Sequence, residues 1–259
     1  MATFAFVHLK RISAILLWLC LALSATKAQK RVLTVGLQFR PIIPITFINS
    51  DSQTKLGEGF EYSIRPKFGY SAGINIRYGI TERVSIESGL GFVQRNYGIN
   101  MKTELHEKDT SFRIIGYELP VMALVFIPLG KRFYMNASIG VQLTAYPSNV
   151  KTGDTAFINF SSRTSMINGG GIGNLGWEYR TENSGYIYLG ATYHLPFKYI
   201  YDTAVKRVNQ GTDSFVFGKL NGSYLTLDIR YLFPEFPLPE RRRKRAKRSE
   251  KKGANSVAE

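Results

Sequence analysis

Cysteine is almost missing: Cys20 is the single one in 259 residues. Disulfide stapling and thiol chemistry are therefore excluded for everything after position 20. Histidine is nearly as scarce, with only His8, His106 and His194, which argues against a histidine-rich metal centre. Long apolar runs are absent beyond the first 23 residues. Val121–Ile127 comes closest and ends at Pro128, far short of the roughly 20 residues a spanning helix needs. Charge is sparse as well, at 20% of the chain. With 24 glycines, 15 tyrosines and 17 phenylalanines, the composition suits an all-β protein better than a helical or disordered one.

The formal charge of +15 is unevenly placed. Lys10, Arg11 and Lys27 stand near the start with no acid beside them. From Glu240 onward there are nine basic and three acidic residues. What remains for the body is modest, so the high pI is weak ground for nucleic-acid binding, and none is expected.

Lys10-Arg11, the apolar run Ile12–Leu23 and the small residues up to Ala28 form a secretory signal peptide by pattern, with cleavage expected after Ala28. Leu19 is bulky where a lipoprotein signal needs a small residue, which disfavours Cys20 as a lipid anchor. Three segments follow: residues 1–28 as leader, 29–239 as one domain, and 240–259 as a basic tail.

Within 29–239 the dominant signal is a period of two. Phe68, Tyr70, Ala72, Ile74, Ile76, Tyr78 and Ile80 alternate with Gly69, Ser71, Gly73, Asn75, Arg77 and Gly79, which places two unlike sets on opposite faces of a strand. The same alternation marks eight strands, at 32–40, 68–80, 84–100, 112–127, 133–144, 165–180, 186–197 and a last one ending at Phe233. Short turns at 81–83, 128–132 and 181–185 alternate with long polar loops at 41–67, 102–111, 147–164 and around 205–213. The glycine run Gly169-Gly-Gly-Ile-Gly173 lacks the lysine and helix of a phosphate loop and reads as a kink or bulge.

Alternation alone leaves open which face is inside. A soluble ligand-carrying barrel turns its apolar face inward. Here the polar faces hold Gly, Ser, Asn and Thr with paired charges and almost no lysine, unlike a water-bathed sheet. Aromatics also gather near the strand ends of the apolar face, as in membrane girdles. An eight-stranded antiparallel transmembrane up-and-down β-barrel follows, with a polar filled lumen and its oily face to outer-membrane lipid. An even strand count with short turns on one side suits the bacterial outer membrane.

Keeping oily residues on one face of the first short hairpin sets its register. Ile80 then faces Val84, Tyr78 faces Ile86, Ile74 faces Leu90, and Arg77 faces Glu87 on the inside. A slip of one residue would send both charges into lipid, at roughly 2–4 kcal/mol for an arginine at the midplane. Arg95, Glu118, Glu178, Asp228 and Arg230 are the other inward charges. Together these seven make a candidate lumen network, either a structural plug or the lining of a narrow polar pore.

Val35-Gly-Leu-Gln-Phe-Arg-Pro-Ile-Ile-Pro44, Pro66-Lys-Phe-Gly-Tyr-Ser-Ala-Gly73, Gly116-Tyr-Glu-Leu-Pro120 and Phe133-Tyr-Met-Asn-Ala-Ser-Ile-Gly140 resemble the outer-membrane β-barrel proteins of Bacteroidota, a group that includes the PorT-like family. The resemblance spans most of residues 31–233. It implies the barrel fold and, for a PorT-like member, an accessory role in protein secretion. The basic tail after the last strand departs from barrels that end at their final aromatic residue.

Some small barrels process lipid with a Ser/His site. Here His194 points inward with no second histidine, His106 falls in a charged loop, and no Gly-x-Ser-x-Gly elbow occurs. The expectation is a non-enzyme with no catalytic, metal or cofactor residues. A narrow porin or a lipid-modifying enzyme stands as the alternative. Glu240–Arg248 has nothing apolar to fold around. It is read as a solvated periplasmic extension, or a contact for anionic headgroups or periplasmic and secretion-system proteins.

Overall fold

The computed structural model describes residues 32–44, 53–57, 60–103, 107–153, 157–182, 184–207, 215–234 and 236–237. The leader with Cys20, the cleavage position, His106 and the basic tail lie outside the described residues. The strands in chain order are β1 (Val32–Ile43), β2 (Gln53–Gly57), β3 (Phe60–Gly79), β4 (Val84–Lys102), β5 (Glu107–Pro128), β6 (Phe133–Ala145) and β7 (Val150–Gly153). They continue with β8 (Phe157–Arg163), β9 (Ile167–Arg180), β10 (Tyr186–Pro196), β11 (Tyr201–Arg207), β12 (Phe215–Leu220), β13 (Tyr224–Leu232) and β14 (Phe236–Pro237).

Eight of these form a closed antiparallel ring, β1-β3-β4-β5-β6-β9-β10-β13, with β13 pairing back onto β1. Closure leaves no free edge in the lipid-facing zone, the condition a sheet must meet to cross a bilayer. The three short connections are hydrogen-bonded turns: Ile80 N–H donates to Val84 O at 3.0 Å, Leu129 to Phe133 O at 2.9 Å and Thr181 to Gly185 O at 3.1 Å. Gly185 takes φ +82°, and a Cβ there would stand 2.2 Å from Leu232 O. Only glycine fits.

Alternation sorts the side chains as the period of two dictates. Leu37, Phe39, Ile74, Leu90, Leu119, Val141, Leu189 and Ile229 face outward and stay exposed. Thr34, Gln38, Ser71, Asn75, Asn136, Gln142, Asn174 and Thr226 face inward and are buried. The lumen is not polar throughout, however. Met122, Leu124 and Phe126 of β5 pack inward on Ile172, with Tyr134 against them.

Described strands extend into all four of the long loops expected from sequence. β3, β4 and β5 run on beyond the ring, so that Glu61 pairs with Lys102 and Lys102 with Glu107. β7, β8, β11 and β12 form a second, four-stranded sheet. The two layers enclose an apolar core of Tyr62, Ile64, Tyr97, Ile99, Met101, Phe112 and Ile114 against Phe157, Ile200, Tyr201, Val205, Val216 and Leu220. This cap closes the long-loop end of the barrel. Gln53 donates to Lys219 O, and Lys55 to Phe217 O at 2.6 Å, joining β2 to β12 at one seam.

The glycine run needs correction too. Gly169–Gly173 pairs in unbroken register with β6 on one side, and its residues from Gly170 do so with β10 on the other. It is neither kink nor bulge. The bulge lies in β3, where Lys67 pairs with Asn96 but Tyr70 with Gln94. That extra residue reverses the parity of β3 while β4 keeps its own. Odd residues (Ser71, Asn75, Arg77) point inward below the bulge, and even ones (Tyr62, Ile64) above it.

Candidate functional site

The lumen charges gather in two layers. In the layer nearer the short turns, Arg77 Nη2 lies 3.0 Å from Glu87 Oε2 and its Nη1 lies 2.6 Å from Glu178 Oε2. Arg230 bridges Glu87 and Asp228, with both contacts at 2.5 Å. Arg180 Nε completes the set at 2.7 Å from Glu178 Oε1. Three arginines thus face three carboxylates. Asp228 also accepts from Thr192 at 2.5 Å, Thr226 at 2.7 Å and Asn174 at 3.1 Å. The guanidiniums lie over rings: Arg180 over Tyr134 at 4.2 Å and Arg230 over Tyr188 at 4.7 Å. Such pairing is what buried charge requires, since an unpaired ion in a low-dielectric interior costs several kcal/mol, on the order of 3–5 when one partner is removed.

The second layer lies below the cap. Glu118 accepts from Arg40 at 3.3 Å, from Gln142 at 3.3 Å and from the Tyr224 hydroxyl. Arg95 approaches it at 3.8 Å, donates to Gly222 O at 2.8 Å and to the Tyr146 hydroxyl at 3.0 Å, and stacks over Tyr224 at 4.3 Å. His194 lies parallel to the Tyr224 ring at 4.1 Å, its Nδ1 2.7 Å from Gln142 Oε1. Gln142 gives its amide N–H groups to Glu118 and Thr144, so its oxygen accepts and Nδ1 carries the proton.

The structure thus brings five of the sequence-predicted residues into one layer (Arg77, Glu87, Glu178, Asp228, Arg230) and the other two, Arg95 and Glu118, into the second. Sequence reasoning missed Arg40, Arg180, Gln142 and Tyr224. Arg40 shares parity with Thr34 and Gln38, and Arg180 with Glu178. Arg180 ends β9, and Arg40 ends the strand expected from sequence although β1 runs on to Ile43, so both fall where alternation loses its force. Among the described residues no group of three or more His, Cys, Asp or Glu is placed to hold a metal. Outside the membrane zone, burial in the cap pushes the Tyr201 phenol up to about 12, and burial raises Tyr62 as well. Tyr201 donates to Ser148 O at 2.6 Å.

A closed ring with an oily exterior, girdled ends and a charge-filled interior defines an integral outer-membrane β-barrel. The family described as outer membrane protein beta-barrel domain matches residues 33–202, and the chain belongs to it. Among solved structures it is similar to the outer membrane protein OprG from Pseudomonas aeruginosa, with a TM-score of 0.53 and 15% identity over 80% of this chain and 99% of that one. It is similar also to the N-terminal β-barrel domain of Pseudomonas aeruginosa OprF (TM-score 0.34, 11% identity, 79% and 100% covered). A third is the outer membrane protease OmpT from Escherichia coli (TM-score 0.31, 8% identity, 78% and 94% covered). At such identities the likeness to OprG speaks for the fold alone. No curated protein matches the chain.

Proposed function

We propose that this barrel is non-enzymatic and closed, and that it works through contacts made by its external cap and its basic tail, in the manner of a PorT-like secretion accessory. One observation carries this reading: two ion-paired layers fill the lumen and an apolar cap core closes its long-loop end. A lumen so filled favours a scaffold over a conduit. His194 is engaged by Gln142 and Tyr224, which is the setting of a lumen hydrogen-bonding residue and not of a general base.

Planar-bilayer recording of the purified protein tests the closed state, with no discrete conductance steps expected. Steps of uniform size would replace it with the narrow porin. That second reading has one observation in its favour, a vestibule of about 690 Å³ at the short-turn mouth, reaching in to Arg77 and Arg180. Lipid A mass analysis with and without the gene should show no difference, and a modified species appearing only with the gene would make the protein an enzyme. Pull-down with and without residues 240–259 tests the accessory role. Deleting the tail is expected to spare barrel assembly and remove periplasmic partners.

A further inference from the structure

Outside the lumen, one surface of the barrel carries uncompensated charge at a defined membrane depth. On the outward face of β3, β4 and β5, Lys67, Asn96 and Arg113 are direct cross-strand neighbours, Lys67 opposite Asn96 and Asn96 opposite Arg113. Lys151 at the start of the second sheet lines the same groove, which has a volume of about 1010 Å³. No aspartate or glutamate lines it. None of the three cations carries an ion pair with another described residue. Asn96 is held in place by donating to Phe68 O at 2.7 Å.

The depth is set by aromatic rings. Phe39, Tyr70, Phe92 and Tyr117 form a row across β1, β3, β4 and β5, with successive centroids 6.2, 6.0 and 6.0 Å apart. Such a belt marks the edge of the hydrocarbon zone. Arg113 lies beyond Tyr117 on β5 by about 13 Å of strand, or roughly 10 Å along the axis of a tilted barrel. Exposed Phe68 and half-buried Ile115 fill the interval on the groove's membrane side. Long cationic side chains in that position place their heads among lipid headgroups while their stems lie on the apolar wall.

We infer that the groove of Lys67, Asn96, Arg113 and Lys151 binds the phosphorylated headgroup of an outer-leaflet lipid, with its acyl chains along the Phe68–Ile115 wall. The chemistry is that of phosphate recognition: two or three cations, an amide donor and no competing carboxylate. The bulge between Lys67 and Tyr70 contributes directly. It ends the parity that aligns Tyr70 with lipid and lets consecutive Lys67 and Phe68 both stand exposed.

The test uses the full chain in phosphatidylcholine nanodiscs doped with bisphosphorylated lipid A, with retained lipid counted by native mass spectrometry. Retention is expected with this lipid and not with its dephosphorylated form. Lys67→Gln/Arg113→Gln/Lys151→Gln should weaken retention by roughly a hundred-fold, about five-fold per charge. These side chains are exposed, and unchanged heat-modifiable gel migration verifies that the variant folds. Lys55→Gln/Lys198→Gln/Lys219→Gln, a charge-matched change elsewhere on the cap, should leave retention intact. Equal binding of the two lipid forms overturns the proposal, as does equal loss in both variants. Displacement by millimolar inorganic phosphate would assign the groove to free phosphate and overturn the lipid as its occupant.

Discussion

Arg77 and Glu87 face each other directly across the β3–β4 ladder, with Nη2 3.0 Å from Oε2 and both side chains buried in the lumen. Glu87 is shared, since its other oxygen meets Arg230 at 2.5 Å. Removing it leaves three arginines against two carboxylates, with Arg77 keeping Glu178 and Arg230 keeping Asp228. Glu87→Leu is expected to cost about 3–5 kcal/mol, read as chemical unfolding from lipid vesicles. Adding Arg230→Met should return part of that loss, with a coupling of roughly 0.5–3 kcal/mol. Strictly additive effects would show that the two groups do not act as a pair.

Ile74 stands outward, midway between Tyr70 and Tyr78 on β3, and is half exposed. In water an arginine there would be tolerated, and in lipid it would not. Ile74→Arg should therefore destabilise the folded barrel in vesicles by about 2–4 kcal/mol, whereas Phe68→Arg, near the interface, should cost about 0–1 kcal/mol. Equal penalties at the two positions would place the membrane band elsewhere on the barrel.

These two cases show why the ring was readable in advance. A strand with one face in lipid and one in the lumen must alternate without a break, so parity alone assigned Arg77 and Glu87 to one side and fixed their register. The cap obeyed no such rule. Tyr62 and Ile64 are inward while Tyr70 and Ile74, of the same parity, are outward, because the bulge at Lys67–Tyr70 intervenes. Fixed-period reading cannot detect a parity switch whose cause is one extra residue. β8, β11 and β12 are only six or seven residues long, and they bury Asn159, Ser161 and Thr203 beside Phe157, Val205 and Leu220. Segments so short and mixed resemble polar loops. Arg40 and Arg180 are hidden for a related reason: Arg180 ends β9 and Arg40 precedes the Pro41 that reads as a strand stop, positions where a charge is usually solvated.

Phe157 anchors the cap, fully buried between the two layers. Phe157→Ala should cost the cap about 3–5 kcal/mol through lost burial and the remaining void. Because the ring's ladders close independently of β8, the loss should stay local. Limited proteolysis on intact vesicles should cut the cap of the variant faster, while heat-modifiable migration of the barrel stays unchanged. Loss of both together would mean that cap and ring fold as one unit.

Tyr201 gives the cap a pH limit. Its phenol is buried and donates to Ser148 O at 2.6 Å, and burial pushes its pKa from the ordinary 10 up to about 12. The sign follows from linkage: between these values the unfolded cap has released the proton and the folded cap has not, so folding is opposed as pH rises. The stabilisation is fully present below pH 10 and is lost as pH passes through about 12. Proteolytic protection of the cap should accordingly fall across that window, in step with tyrosinate absorbance. Tyr201→Phe removes this titration along with one hydrogen bond, worth about 0.5–1.5 kcal/mol. The variant should start less protected at neutral pH and lose less between 10 and 12, with Tyr62, also raised by burial, supplying the slope that remains. An unchanged slope would move the alkaline sensitivity away from Tyr201 altogether.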